Sequence, residues 1–258
     1  MLRILKLILF YFAYQLGFSA LAWGVSMFGV RMDAVEMTSY AMVASTLAMA
    51  WHLIHYGYVS MARDRYREVS MANWAVSVVF VYAATFVLNV AIEQMGIPNT
   101  MEDTFIAMTN NVFGLLSITL LAPILEELLF RGAIEGELLR RGYNPWTSIL
   151  LSSFVFGIIH LNPAQIPFAF LIGIMFGWLY YRTGSLLPGI VGHILNNSVA
   201  AYNMIRYGNA TIEEQMSGMK EMWQWTILAI VVFVVATVWL NRGMVDKAVD
   251  TTYSKEEK

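Results

Sequence analysis

The sequence predicts an all-α, polytopic membrane protein with about eight transmembrane helices and both termini on the cytoplasmic side. Three observations carry that expectation. Of 258 residues, 58% are hydrophobic and 13% charged, with a mean hydropathy of +0.58, whereas soluble domains carry about 25% charged residues. Apolar segments recur at 4–30, 37–62, 71–92, 105–127, 146–161, 164–181, 185–205 and 223–241. Eight spans of about 20 residues would use roughly 160 positions and leave short loops. Starting inside, eight spans put 13 of the 16 Lys and Arg on the cytoplasmic side and leave Arg31, Arg206 and Lys220 outside, the bias that the positive-inside rule favours.

In chain order, Arg3 and Lys6 lead into a first apolar run longer than a signal-peptide core, so it reads as a retained span despite Ala20-Leu21-Ala22. The second segment carries His52 and His55 on one face, flanked by Trp51, Tyr56 and Tyr58. Two histidines make half a zinc shell, so this reads as an interfacial aromatic belt. The segment 71–92 is free of charge and long enough to span. Asn89, Asn110 and Asn111 read as hydrogen-bonders between helices. Segments five to seven are short, close together and interrupted by Pro163, Pro167 and Pro188. Three short helices joined by tight turns fit them, with a re-entrant segment as the alternative. The eighth segment is a span, and 242–258 reads as a solvated cytoplasmic tail. The whole of 1–258 is expected to be one domain with a motif core at 105–205.

Composition also excludes classes of function. With no Cys there is no disulfide framework, no thiolate nucleophile and no Cys-based metal site. A net charge of −2 and a pI near 6.1 lack the basic stripe of a nucleic-acid binder. The chemistry must come from polar residues inside the spans, each of which costs roughly 2.5–3.5 kcal/mol at mid-helix on insertion scales.

The fourth segment ends in Pro123-Ile124-Leu125-Glu126-Glu127-Leu128-Leu129-Phe130-Arg131-Gly132. On an α-helix, Glu127 and Arg131 lie about 40° apart and can pair, while Glu126 points about 100° away, toward a different neighbour. Pairing gives Arg131 a structural task and leaves Glu126 free for another. Later, Phe156 and His160 share a face, as do His193 and Asn197, with Asn196 nearly as well placed. A lone intramembrane histidine is ordinarily a polar contact between helices. Here a Glu and two His arrive together on three segments. A carboxylate and an imidazole can hold and deprotonate a water. A second imidazole and an amide can donate hydrogen bonds to the oxyanion of a tetrahedral intermediate.

Glu126-Glu127-x-x-x-Arg131, Phe156-x-x-x-His160 and His193-x-x-x-Asn197 resemble the three ordered motifs of the CPBP (Abi) intramembrane proteases. That family comprises CAAX-type prenyl-protein endopeptidases and bacteriocin-processing or self-immunity proteins. The resemblance covers Glu126 to Asn197 directly, and the eight-segment layout extends it to most of the chain. It implies that Glu126 and His160 activate the catalytic water and that His193 and Asn197 stabilise the oxyanion. Glu127 would pair with Arg131 to orient the helix, and Phe156 would shape the cavity.

Two schemes use the same residues. Glu126, His160 and His193 could ligate a catalytic zinc, or Glu126 could act as general base with no metal. The lack of a His-Glu-x-x-His helix tilts the reading slightly toward the metal-independent scheme. The expected substrate is a membrane-presented or lipidated peptide or protein, met within the bilayer, with no nucleic acid involved. The expected location is a multi-pass integral membrane protein, in the plasma membrane if the cell is bacterial. An intramembrane proton relay or small transporter is the alternative, and a non-catalytic immunity or scaffold protein a third reading; the chain lacks the internal repeat common in transporters.

Overall fold

The computed structural model describes residues 2–59 and 69–243, and every regular element among them is helical. Ten helices follow in order: α1 (Leu2–Met27), α2 (Ala34–His55), α3 (Met71–Gln94), α4 (Glu102–Thr109), α5 (Val112–Arg140), α6 (Pro145–Ile158), α7 (Gln165–Thr183), α8 (Leu187–Tyr207), α9 (Ile212–Gln215) and α10 (Met219–Gly243). Arg63, Arg65 and Arg67, and the tail from 244 onward with Lys247, Lys255 and Lys258, lie outside the described residues.

The eight apolar segments thus correspond to eight long helices, with α4 and α9 as short additions. Five of the long helices, α1, α3, α5, α7 and α10, are long and apolar enough to cross a membrane, making this a multi-pass integral membrane protein. The other three fall short for different reasons. The 14 residues of α6 reach about 21 Å at 1.5 Å per residue, against a hydrocarbon core of about 30 Å. The helices α2 and α8 have the length, but polar side chains such as His52 and His193 face protein neighbours rather than lipid.

Local signals account for most boundaries. Asp33 and Glu36 form a reciprocal capping box at the start of α2. Asn144 caps α6, whose first residue is Pro145. Pro167 and Pro188 sit in the first turns of α7 and α8, where a missing amide donor costs little, so they start these helices rather than break them. The helix α7 stops at Gly184 in the left-handed conformation, φ +63°.

One expected segment is divided differently. The run 105–127 is interrupted after Thr109, and the helix that follows continues to Arg140. Asn111 accepts the Phe113 and Gly114 amides, so it caps α5 instead of bonding across helices, and Asn110 turns back to the Ile106 carbonyl. The break brings α4 tightly against α5. A Cβ on Gly114 would stand 2.5 Å from the Met108 carbonyl oxygen and 2.9 Å from Ser39 Oγ. Because the obstacle is backbone, Gly114→Ala is expected to destabilise the fold by about 1–3 kcal/mol, as overpacking does. The check is the thermal midpoint in detergent, and an unchanged midpoint would show that α4 moves aside without cost.

The helix α5 is the axis of the molecule. Every residue from Leu125 to Leu139 is buried, the charged Glu126, Glu127, Arg131, Glu135 and Glu137 included, so this stretch is enclosed by protein rather than facing lipid. The helices α2, α6, α7 and α8 surround it, while α1 packs on α2 and α10 on α3. The outermost helices expose large apolar side chains, including Leu9, Leu16 and Trp23 of α1 and Ile227, Val235 and Trp239 of α10. Such faces suit lipid.

Candidate active site

The motif residues lie where α5 departs from α-helical winding. The Ala122 amide reaches back five residues to the Ser117 carbonyl, and the Gly136 amide reaches back five to Arg131, giving π turns at Ser117–Leu121 and Glu127–Glu135. Wide turns of this kind concentrate at functional sites. In the first turn, Ala122 is committed to Ser117 and Pro123 has no amide hydrogen. The Ile118 carbonyl is thereby left without a donor from its own helix, and Asn197 Nδ2 of α8 supplies one at 2.8 Å.

In the second turn, Arg131 is 1% exposed and held on several sides. Its Nη1 donates to Glu127 Oε1 at 3.0 Å and its Nη2 to the Gly173 carbonyl at 2.9 Å. The guanidinium lies over the Phe156 ring at 4.6 Å and the Phe176 ring at 5.4 Å, placements that favour a cation. The expected pairing of Glu127 with Arg131 is therefore present.

Glu127 also does something the spacing did not reveal. Its Oε1 meets His193 Nδ1 at 3.1 Å, while the other ring nitrogen, Nε2, stands 3.6 Å from Glu126 Oε2. One imidazole thus lies between the two adjacent carboxylates. This corrects the expectation that Glu126 faces a different neighbour from Glu127. A π turn holds more residues than an α turn, so successive side chains diverge less around the axis, and both glutamates reach the same ring. Gly189 of α8 lets this happen: a Cβ there would stand 2.8 Å from Glu127 Oε2. The His193 ring also stacks on Phe176, with centroids 5.0 Å apart.

His160 lies just beyond the end of α6, with Nδ1 against the Phe156 carbonyl at 2.7 Å. A carbonyl only accepts, so Nδ1 carries the hydrogen. The rings of His160 and His193 both stand edge-on to Phe156, at 4.9 and 5.8 Å. Asn197 Oδ1 accepts from Asn196 Nδ2, and Asn196 Oδ1 accepts from Thr85 of α3. The structure therefore joins Glu126, Glu127, Arg131 and His193 by polar contact and Phe156 by ring contact. Among the described residues, neither His160 nor Asn197 bonds directly to Glu126.

The arrangement does not suit the three-ligand zinc scheme. Among the described residues, no group of three or more His, Asp and Glu side chains stands close enough to hold a metal ion. Glu126 and His193 face each other, but His160 meets that pair only across the Phe156 ring, and the Glu127 carboxylate beside them is already shared with a guanidinium.

Two further residues belong to this neighbourhood. Tyr11 of α1 packs against the core and lies within electrostatic reach of Glu126; nothing in the sequence singled it out. Glu135, fully buried, continues the line Glu127–Arg131–Glu135 at four-residue spacing and has no hydrogen-bond partner on either oxygen. That spacing was readable, since Glu135 stands to Arg131 as Arg131 stands to Glu127.

Comparison with known proteins bears on the same stretch. Residues 108–199 match the family model described as type II CAAX prenyl endopeptidase Rce1-like. The membrane peptidase candidate YdiL of Bacillus subtilis is 29% identical over 102 residues, covering 40% of this chain and 41% of that protein. The membrane-embedded CAAX protease MroQ of Staphylococcus aureus is 32% identical over 105 residues, covering 39% of this chain and 42% of that protein. The matched stretch is thus about two fifths of each relative's length. No solved structure matches the chain. The segment 108–199 contains every motif residue from Glu126 to Asn197, and it is this stretch that is similar to the type II CAAX prenyl endopeptidases.

Proposed function

We propose that this protein is an intramembrane endopeptidase in which Glu126 activates a water molecule against a peptide bond presented from the membrane. The observation that carries the reading is the His193 ring set between two carboxylates. Glu127 holds Nδ1 and is itself held by Arg131, so Nε2 is directed toward Glu126. A carboxylate that orients one imidazole nitrogen leaves the other for chemistry.

The steps follow from donors and acceptors. In its neutral form His160 keeps its Nδ1 hydrogen on the Phe156 carbonyl, so its Nε2 lone pair accepts a hydrogen bond from the attacking water. Glu126 takes the other proton of that water as the oxygen adds to the substrate carbonyl carbon. The negative charge that forms on the carbonyl oxygen is met by His193 and Asn197. Donation from His193 requires the imidazolium form, in which Glu127 keeps Nδ1–H and Nε2–H turns to the substrate. Asn197 gives one amide hydrogen to Ile118 and has a second for the oxyanion. Glu126 then passes its proton to the departing amide nitrogen and the C–N bond breaks; the carboxylic acid that forms keeps the water's other hydrogen and gives it up to the released amine, so the products are a carboxylate and an ammonium group. One water is consumed and no other reactant is needed.

The substrate class follows from place. Glu126 is largely buried at the middle of the span Val112–Arg140, within the bilayer rather than near its cytoplasmic edge as the shorter run 105–127 implies. Such a site favours a lipidated or apolar C-terminal tail, or a leader peptide, over a soluble chain. The prenyl endopeptidase description of the matching family model supports the lipidated class.

The test compares membrane peptides by mass spectrometry from matched cells expressing the wild type or Glu126→Gln at equal level. The expected result is a fragment formed only with wild type, which gives the scissile bond directly. If no peptide differs while the two strains still differ in phenotype, a proton relay replaces this reading. If the phenotype does not differ either, a scaffold does.

A further inference from the structure

His160 occupies an unusual backbone setting. The helix α6 ends at Ile158, and His160 lies in the turn that follows, with its amide donating to the Gly157 carbonyl at 3.3 Å. The next residue, Leu161, has φ +53° and is the one non-glycine residue with positive φ among those described. Left-handed backbone is disfavoured for a residue with a Cβ, which crowds the following carbonyl oxygen. The Leu161 side chain is 70% exposed, so packing within the protein does not offset that cost. A strained residue persists where its surroundings over-determine it, and such residues gather at functional sites.

The restraint comes from Asn162, which is 0% exposed. Its Oδ1 accepts from the Thr100 amide at 3.1 Å and from Thr100 Oγ1 at 3.4 Å, and its Nδ2 donates to Asn99 Oδ1 at 2.7 Å. Its carbonyl accepts the amides of Gln165 and Ile166 at the start of α7. One residue therefore ties the turn after α6 to the loop between α3 and α4 and to the first turn of α7. These bonds lie two residues from His160, across the strained leucine.

We propose that Asn162 is a positioning residue for His160: its clamp on Asn99 and Thr100 holds Leu161 in the left-handed conformation and so sets the His160 ring against Phe156. The inference rests on the endopeptidase reading, because it assigns a purpose to the placement of His160. Without the clamp, Leu161 relaxes to an ordinary φ and the chain direction at His160 changes.

The test uses the full-length protein in detergent or liposomes and a synthetic peptide spanning the bond found in the membrane-peptide comparison. Asn162→Ala is expected to lower kcat about ten- to hundred-fold with KM little changed, since misplacement by about 1 Å can cost about 10²-fold. Adding Leu161→Gly should recover part of that kcat, because glycine adopts positive φ without the Cβ penalty. Recovery of kcat at constant KM is a result that general loosening of the fold does not produce. If Asn162→Ala fails to fold, Asn99→Ala removes one bond from an exposed partner and should lower kcat several-fold, with the same recovery by Leu161→Gly. Unchanged kcat in these variants, or a loss that Leu161→Gly does not recover, overturns the positioning role while leaving the endopeptidase intact. If the wild type cleaves nothing, the endopeptidase reading itself has failed, and the clamp has no chemistry to serve.

Discussion

Replacing Glu126 by glutamine is expected to lower peptide-bond hydrolysis by about 10²–10⁴-fold, the range over which a positioned general base contributes. The substitution keeps size and shape and removes the proton-accepting oxygen. Glu126 meets His193 at 3.6 Å, longer than the 3.1 Å contact from Glu127, so the imidazole keeps its closer partner when Glu126 is neutralised. The fold should therefore survive, and the thermal midpoint in detergent should stay within a few degrees of wild type. Turnover of the peptide identified in cells is the measurement to make. Retention of more than a tenth of wild-type turnover would assign the base elsewhere. Loss of turnover together with collapse of the fold would show that Glu126 is structural. Asn197→Ala should give a smaller loss, because His193 remains to meet the oxyanion, and some loss of stability, because the Ile118 carbonyl then has no donor.

What was legible in the sequence divides by range. The helices were, because an apolar run of membrane length and its flanking Pro, Gly and Asn act locally. The pairing of Glu127 with Arg131 was legible for the same reason, being set within one turn. The contact between Glu127 and His193 joins residues 66 apart in sequence and depends on how α8 docks on α5. No spacing rule reaches that far. The π turns were hidden too, since the expected 100° between Glu126 and Glu127 assumes α-helical winding. Pro123 offered a clue that went unused: a proline inside a span must leave a carbonyl without its helical donor, and a polar side chain from another helix has to supply one. Asn197 is that side chain. Asn111 misled in the opposite way, because a capping asparagine and one that bonds between helices look alike until the helix break beside it is known. The motif order from Glu126 to Asn197 carried the resemblance to a family of membrane endopeptidases, and the matches to 108–199 agree with it.

Removing Arg131 is expected to be the most damaging single change to stability. Arg131→Met should cost about 3–5 kcal/mol, the usual penalty when one member of a buried ion pair is lost and the other stays uncompensated. The geometry supports a value in that range. Glu127 is 0% exposed, its Oε2 has no partner, and the Gly173 carbonyl would lose its donor as well. The double variant Arg131→Met, Glu127→Gln should recover much of this, because glutamine removes the stranded charge while its amide oxygen still accepts from His193 Nδ1. Thermal unfolding of the four proteins in one detergent tests the idea as a double-mutant cycle. If the two single costs simply add, Arg131 does not act through Glu127. Activity sharpens the comparison, since the two ends of the bridge do different things. Glu127→Gln alone keeps the hydrogen bond to His193 but weakens its hold on the imidazolium, and should reduce turnover more than stability. Arg131→Met touches no reacting group and should reduce turnover only as far as Glu127 and His193 shift. A variant that folds as well as wild type yet turns over poorly would place the chemical role at Glu127, and the opposite pattern would make the bridge a support for α5 alone.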